Sequence, residues 1–157
     1  MGDLLIYSTG SGGDANQLNN DFEITEGLFN MVFLAMFGGN PGYNTGPLDV
    51  ASEQNFDYWG NSLVFKNNPE AQFNSYTENT LNTIAITSES RQIIKGFVLK
   101  DLEFLSNLAK IEVEVYLLDA NKVEIQVKVN ELTNLQNKEF QFIWDGTKSE
   151  LIENRII

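Results

Sequence analysis

The chain of 157 residues contains no cysteine and no histidine. The absence of cysteine excludes disulfides and thiolate nucleophiles, and the absence of histidine excludes an imidazole base. Ser-His and Cys-His catalytic pairs are excluded with them, as are zinc sites built from either residue. Any catalytic chemistry in this protein would therefore have to rest on other side chains.

Basic residues are scarce. Ten Lys and Arg stand against 22 Asp and Glu, which gives a formal net charge of −12, and residues 1–65 hold neither Lys nor Arg. A phosphate backbone is bound through basic side chains that displace counterions, so we expect no nucleic-acid partner. The acidic first half favours either a plain solvated surface or attraction toward a basic protein partner.

Long apolar runs are also missing. No stretch approaches the roughly 18 apolar residues of a membrane span, so we expect no membrane partner. The run Leu4-Leu5-Ile6-Tyr7 is too short for the apolar core of a secretion signal, and no basic residue precedes it. Together with the lack of cysteine, this leads us to expect a protein made and kept in a cytoplasm or in a particle assembled there.

The residues that are present suffice for one buried core, because 42% of them are hydrophobic. We predict a single α+β domain over residues 1–157. Its mainly antiparallel sheet comprises a C-terminal hairpin plus an aromatic strand and packs against two helices. A Gly-, Pro- and Asn-rich loop is predicted over 38–82, and 147–157 is a possible C-terminal arm.

Two segments have helical patterns. A helix is predicted over 26–37 with Thr25 as its cap, and because it is apolar nearly all round it is either central or partner-facing. A second helix is predicted over 89–108, opened by Thr87 or Ser88. Its apolar stripe, at spacings of three and four, comprises Ile94, Phe97, Val98, Leu102, Leu105 and Ala109.

Strict alternation of apolar and polar residues over 111–117 and 123–130 predicts a β-hairpin with one buried face. The alternating aromatics of Phe140-Gln141-Phe142-Ile143-Trp144 predict a third strand in the same sheet. Since this strand can cover only one side of the hairpin, we expect a free ladder of N–H and C=O groups that another chain can join.

Two ligand motifs are incomplete. Gly10-x-Gly12-x-x-Ala15 follows a short strand but lacks the helix that a dinucleotide site requires. Asp14-x-Asn16 begins like a calcium loop, but the positions that need an oxygen ligand, a glycine and a bidentate glutamate hold Leu18, Asn19 and Thr25. We therefore predict no cofactor and no metal site.

Two other functions remain open. Any two of the 22 acids could form the carboxylate pair of a cell-wall (peptidoglycan) hydrolase, and Glu26 is the one acid for which we expect partial desolvation. The cluster Phe56-Asp57-Tyr58-Trp59-Gly60 could stack on a sugar, anchor a loop or form an interface. A carbohydrate- or protein-binding module is therefore a second alternative.

Several short motifs occur in a fixed order along the chain. Leu18-x-x-Asp21 and Glu26-Gly27-Leu28 precede the apolar helix, Tyr58-Trp59-Gly60-Asn61 follows it, and the second helix, the hairpin and the aromatic strand come last. This order resembles the Mu-like phage tail baseplate protein family, the contractile-tail wedge proteins of tail-lysozyme-like or sheath-initiator type. That family tends to show Trp-Trp-Gly-Asp at the Trp-Gly motif, and it usually has basic residues where Gly38-Gly39-Asn40-Pro41 stand here.

The resemblance implies a structural, non-enzymatic subunit of a contractile tail baseplate wedge, made in the host cytoplasm and located in the virion tail. It implies several copies in contact with other wedge proteins and with the tail sheath or tube, and a possible role in starting sheath assembly. The apolar residues near the end of the chain either form a donated arm or cap the core. The predicted partner-facing residues are Tyr58, Trp59, Gly60, Phe140, Phe142, Trp144, Leu151, Ile152, Ile156 and Ile157.

Overall fold

The computed structural model describes residues 2–4, 6–8, 13–15, 17–18, 21–22, 24–39, 67–68, 72, 74–132 and 137–157. The helices are α1 (Gly27–Phe37), α2 (Tyr76–Thr83) and α3 (Ser90–Asp101), and a 3-10 turn (Glu103–Leu105) follows α3. The strands are β1 (Gly2–Leu4), β2 (Ile6–Ser8), β3 (Gly13–Ala15), β4 (Gln17–Leu18), β5 (Asp21–Phe22), β6 (Ile24–Glu26), β7 (Ala109–Leu117), β8 (Lys122–Glu131), β9 (Asn137–Asp145) and β10 (Glu150–Ile156).

The four long C-terminal strands form one antiparallel sheet in the order β10-β9-β8-β7. Strands β7 and β8 are the predicted hairpin, with Val113 opposite Val127, and the predicted aromatic strand pairs with β8 so that Val123 lies opposite Trp144. One face of β8 is fully buried, because every second residue from Val123 to Val129 points into the core. The predicted α+β class with a mainly antiparallel sheet is confirmed.

Helix α1 packs along β9 and forms the aromatic centre of the core with it. Phe29 stacks on Phe142 with ring centroids 5.9 Å apart, and Phe37 stacks on Trp144 at 6.2 Å. Phe29 also contacts Phe140, with ring centroids 5.5 Å apart, so the two rows match in length: the eight residue steps from Phe29 to Phe37 and the four from Phe140 to Trp144 each span about 12 to 14 Å. The sequence predicts either a central or a partner-facing position for α1. In the structure α1 is central, with most of its side chains buried in the core.

Helix α3 packs beside β7 through the predicted stripe, in which Ile94, Val98 and Leu102 are buried. Its start is fixed by Thr87 and Ser90, each of which accepts the other's backbone N–H through its hydroxyl, at 3.3 and 2.9 Å. The predicted extension to residue 108 is wrong, since the helix ends at Asp101. Ser and Asn at positions 106 and 107 favour turns over helix, and the chain turns there into β7.

The first 26 residues contribute short two-stranded antiparallel ribbons that pair β1 with β6, β2 with β3 and β4 with β5. Helix α1 follows β6 directly and contacts both β1 and β6. The side-chain amide of Asn30 donates a hydrogen bond to the carbonyl of Leu4, which ties α1 to this ribbon. Among the described helices, none has the length and apolar character needed to cross a membrane.

Two predicted irregular segments are ordered elements instead. Residues 76–83, at the end of the predicted loop, form α2, which periodicity did not reveal because its sequence is mostly polar and has no apolar stripe. The possible C-terminal arm forms β10, which pairs with β9 in the same chain. Leu151 is buried against the core, in agreement with the capping alternative, whereas Ile156 and Ile157 are exposed.

Candidate functional site

The predicted partner-facing aromatics of β9 are core residues. Phe140, Phe142 and Trp144 have at most 2% of their surface exposed, so they cannot form an exposed interface. The prediction was wrong because alternation shows that one face of a strand is buried, without showing whether the covering surface belongs to the same chain. Here the cover is α1.

The remaining predicted partner-facing residues divide into two groups. Tyr58, Trp59 and Gly60 lie outside the described residues. Leu151 is buried, and the side chains that stay on the surface of β10 and just beyond it are Ile152, Ile156 and Ile157. The structure therefore leaves the end of the chain accessible and removes the aromatic strand from the candidate interface.

The outer edge of β7 is the first candidate site. At one end of the hairpin the N–H of Leu118 donates to the carbonyl of Lys122 at 2.9 Å, and at the other end that of Leu132 donates to Leu108 at 3.0 Å. Bonded and non-bonded pairs alternate along an antiparallel ladder, so the even-numbered residues of β7 bond to β8. The N–H and C=O groups of the odd-numbered residues point away from the sheet: Ala109, Ile111, Val113, Val115 and Leu117.

Within the described residues no strand pairs with this edge. The side chains beside it are charged. Lys110 lies 2.7 Å from Glu112, whose pKa is lowered by that hydrogen bond, and Lys95 reaches from α3 to Glu114 at 3.1 Å. Leu99, one turn after Lys95 on the same side of α3, is 40% exposed. Within the described residues, no strand pairs with this backbone ladder, which has helix α3 and ion pairs beside it and an exposed leucine nearby; Ala109, Val113 and Val115 along it are buried.

The second candidate site joins the ends of the three helices. Asp101, at the end of α3, accepts the N–H of Tyr76 at 3.0 Å and that of Thr77 at 2.7 Å, the first two of α2. Glu78 accepts the N–H of Gly39, just past α1, at 3.1 Å. Ser75 is the N-cap of α2. We call these groups the acidic joint.

Ser75 holds the acidic joint to α1. Its hydroxyl donates to the carbonyl of Met36 and accepts the N–H of Glu78 at 3.0 Å, while its own N–H donates to the carbonyl of Gly39 at 2.8 Å. Gly39 has a φ of 95°, a conformation that favours glycine. The backbone turns out of α1 at this residue so that both its polar groups face α2.

Both carboxyl groups of the acidic joint are perturbed. Burial raises the pKa of Glu78 from 4.5 to about 7, with an opposing effect from the N–H of Gly39 and a further rise from the charge of Asp101. Burial also raises the pKa of Asp101, from 3.8 to about 6, although the hydrogen bonds from Thr77, Tyr76 and Ser75 oppose the rise. Desolvation therefore outweighs hydrogen bonding at both groups.

Sequence analysis missed the acidic joint, although a signal for it was present. Ser75-x-x-Glu78 is the pattern of a capping box, in which an N-cap serine and a glutamate three residues on satisfy the first N–H groups of a helix. Here Glu78 binds Gly39 in place of the N-cap residue. The expectation that Glu26 is the one desolvated acid is wrong, because burial perturbs Glu78 and Asp101; the side chain of Glu26 lies outside the description.

The two carboxyl groups of the acidic joint hold helix ends together by accepting backbone N–H groups. Each oxygen of Asp101 accepts a backbone N–H, so its lone pairs are directed at α2. In the part of the chain that the structure describes, no three potential metal ligands come together.

Comparisons with protein-family models, with curated proteins and with solved structures find no match to this chain. The resemblance to the baseplate family therefore rests on the sequence motifs given above.

Proposed function

We propose that this protein is a structural subunit of a phage-type contractile tail baseplate wedge, and that it binds a neighbouring subunit by strand addition to the outer edge of β7. In this role it contacts other wedge proteins and the sheath or tube in the virion tail. A strand added at this edge could be the first contact of a growing sheath. The protein performs no turnover in this role.

The backbone ladder of β7, with which no described strand pairs, is the observation that supports the proposal. Five residues of a nine-residue strand direct their N–H and C=O groups away from the sheet, and no described strand pairs with them. An added strand gains affinity from main-chain hydrogen bonds and register from its alternating side chains. Each such hydrogen bond contributes about 1 kcal/mol net.

The sign of the neighbouring charges suggests the partner's chemistry. The chain carries a net charge of −12, and Glu112 and Glu114 stand on the same face of β7. A partner strand with basic residues at alternate positions would place them beside these two glutamates, where opposite charges stabilise a cross-strand pair. An acidic partner would be repelled.

The test is coexpression of the chain with the baseplate and sheath proteins encoded by neighbouring genes, followed by purification and site-specific photocrosslinking. We expect a stable complex in which a photoreactive residue at Glu112 crosslinks to the partner. A photoreactive residue at Glu139 should not crosslink to the partner. Glu139 lies on β9, the strand next to the opposite edge of the sheet. A complex that crosslinks at neither β7 position 112 nor 114 would contradict the proposal.

A hydrolase is the second candidate, and the acidic joint is the observation that favours it. Carboxyl groups with raised pKa values cluster at catalytic sites, and a glycosidase needs two carboxyl groups in different protonation states. The test is release of soluble fragments from peptidoglycan between about pH 4 and about pH 8. Turnover that disappears in Glu78→Gln or Asp101→Asn would establish the hydrolase and contradict the structural role; we expect no release from any of the three proteins.

A further inference from the structure

We propose that Glu78 and Asp101 form a proton-operated joint: when both carboxyl groups are protonated the ends of α1, α2 and α3 are held tightly together, and when both are ionised the joint loosens. The proposal does not depend on the baseplate function. It rests first on connectivity. The bond from Gly39 to Glu78 joins residues 39 positions apart in the sequence, and the bonds from Tyr76 and Thr77 to Asp101 join residues 25 and 24 apart.

Among the described residues, no cation is aimed at the two carboxylates when they ionise. Helix α1 contains no charged residue, and α2 contains only Glu78. On α3, Arg91 bonds to the carbonyl of Ser88 and Lys95 to Glu114. Lys100 lies beside Asp101 in sequence, but its ammonium group stands 3.6 Å from the centre of the Tyr76 ring.

The carboxyl groups also repel each other, since the charge of Asp101 raises the pKa of Glu78. Two like charges in a partly buried space favour the state in which at least one of them is neutral. A protonated carboxyl keeps one carbonyl oxygen that accepts an N–H and gains an O–H donor. Protonation therefore removes the repulsion without removing every hydrogen bond that ties the helices.

The direction of the pH effect follows from the shifts. Both pKa values are raised in the folded protein, to about 7 for Glu78 and about 6 for Asp101, so the folded state binds protons more tightly than the unfolded chain. The stabilisation is complete below the ordinary carboxyl range and is lost as the pH rises through the two raised values. A joint of this kind is tight in mild acid and loose in mild base.

The experiment measures amide hydrogen exchange by NMR at about pH 5 and about pH 8, expressed as protection relative to an unstructured peptide. In the natural protein we expect the protection of the Gly39 and Thr77 amides to fall by about tenfold or more across this range, since one pKa unit corresponds to a tenfold change. Glu78→Gln should abolish most of the fall at Gly39, whose N–H Glu78 accepts. Glu89→Gln, which neutralises an exposed acid before α3, should retain it.

Three outcomes would overturn the proposal. The first is equal protection of Gly39 and Thr77 at both pH values in the natural protein, the second is a fall at Gly39 that persists in Glu78→Gln, and the third is its equal loss in Glu89→Gln. If Glu78→Gln does not fold, carbon-13 shifts of the side-chain carboxyls in the natural protein decide the matter. The joint requires Glu78 and Asp101 to titrate well above the ordinary carboxyl range, and titration within that range contradicts it.

Discussion

The two edges of the four-stranded sheet are built differently. Strand β7 pairs with β8 in continuous register over all nine of its residues. Strand β10 has a bulge between Leu151 and Glu153, where the register with β9 shifts, and β2 approaches it from the N-terminal ribbons. Arg155 also bonds to Gln141 and secures β10 to the next strand.

Bulges, short edge strands and covering segments are the devices by which proteins prevent unwanted strand pairing. The β10 edge has a bulge and a neighbouring strand, whereas the β7 edge has a regular ladder that no described strand pairs with, and helix α3 packs beside it. Among the described residues, one edge is thus bulged and flanked by another strand of the chain, and the other has no strand paired with it. The C-terminal residues, which the sequence marked as a possible donated arm, contribute to the closed edge.

The largest effect is expected in the core between the two edges. Phe142→Ala removes a fully buried ring that contacts Phe29 and Phe37, and we expect a loss of about 3 to 5 kcal/mol in the free energy of unfolding. Denaturant unfolding measures it. Binding per folded molecule should not change, because Phe142 does not reach the surface; a specific loss of binding at unchanged stability would restore β9 to the interface.

The second-largest effect is expected for a proline substitution at the β7 edge, which should distinguish the roles of the two edges. Ile111 directs its N–H away from β8, and proline is tolerated on an edge strand at such a position. We expect Ile111→Pro to weaken partner binding about a hundredfold, which corresponds to about 3 kcal/mol, as measured by titration calorimetry on the coexpressed partner. Ile111→Ala, which also loses side-chain contacts but keeps the N–H, should bind nearly normally.

The matched change on the other edge is Ile156→Pro. The N–H of Ile157 donates to Glu139, so alternation directs the N–H of Ile156 away from β9, and the Ile156 side chain is exposed. We expect no change in partner binding. A loss equal to that of Ile111→Pro would mean that the partner uses both edges or neither, and the comparison between the edges would fail.

The smallest effect is expected for the ion pair beside the β7 edge. Lys95 and Glu114 are 3.1 Å apart, and their side chains are 32% and 56% exposed. A double-mutant cycle of Lys95→Ala and Glu114→Gln should give a coupling of about 0.5 kcal/mol or less, since solvent screens such pairs. A coupling above about 1 kcal/mol would show that this ion pair is strong enough to keep the β7 edge covered in the free protein.

The sheet could be predicted from sequence because its physics is local. Alternation with a period of two marks the buried face of β7, β8 and β9 directly, and a one-residue error in register would turn every apolar residue outward. The apolar stripe of α3 is an equally local signal. The predicted end of α3 was too late, because the apolar periodicity continues through buried Leu102 and Leu105 although the helix ends at Asp101 and a 3-10 turn follows.

The acidic joint was beyond such reasoning for a physical reason. Its hydrogen bonds connect residues 24 to 39 positions apart, and no local periodicity reports which helix ends meet. Helix α2 is polar although Thr77 and Thr80 are buried, so its sequence does not show a core-facing side. The short pattern Ser75-x-x-Glu78 predicts the start of α2, but only the packing of α3 brings Asp101 to it.

Residue-resolved hydrogen exchange along β7 tests the central claim most directly. In the isolated protein we predict alternation, with protected amides at the even-numbered residues such as Glu112 and Glu114 and rapid exchange at Ile111, Val113 and Val115. Adding the partner should protect these three odd-numbered amides and leave β10 unchanged. Uniform protection of β7 in the isolated protein, or odd-numbered amides that still exchange rapidly in the complex, would contradict strand addition at this edge.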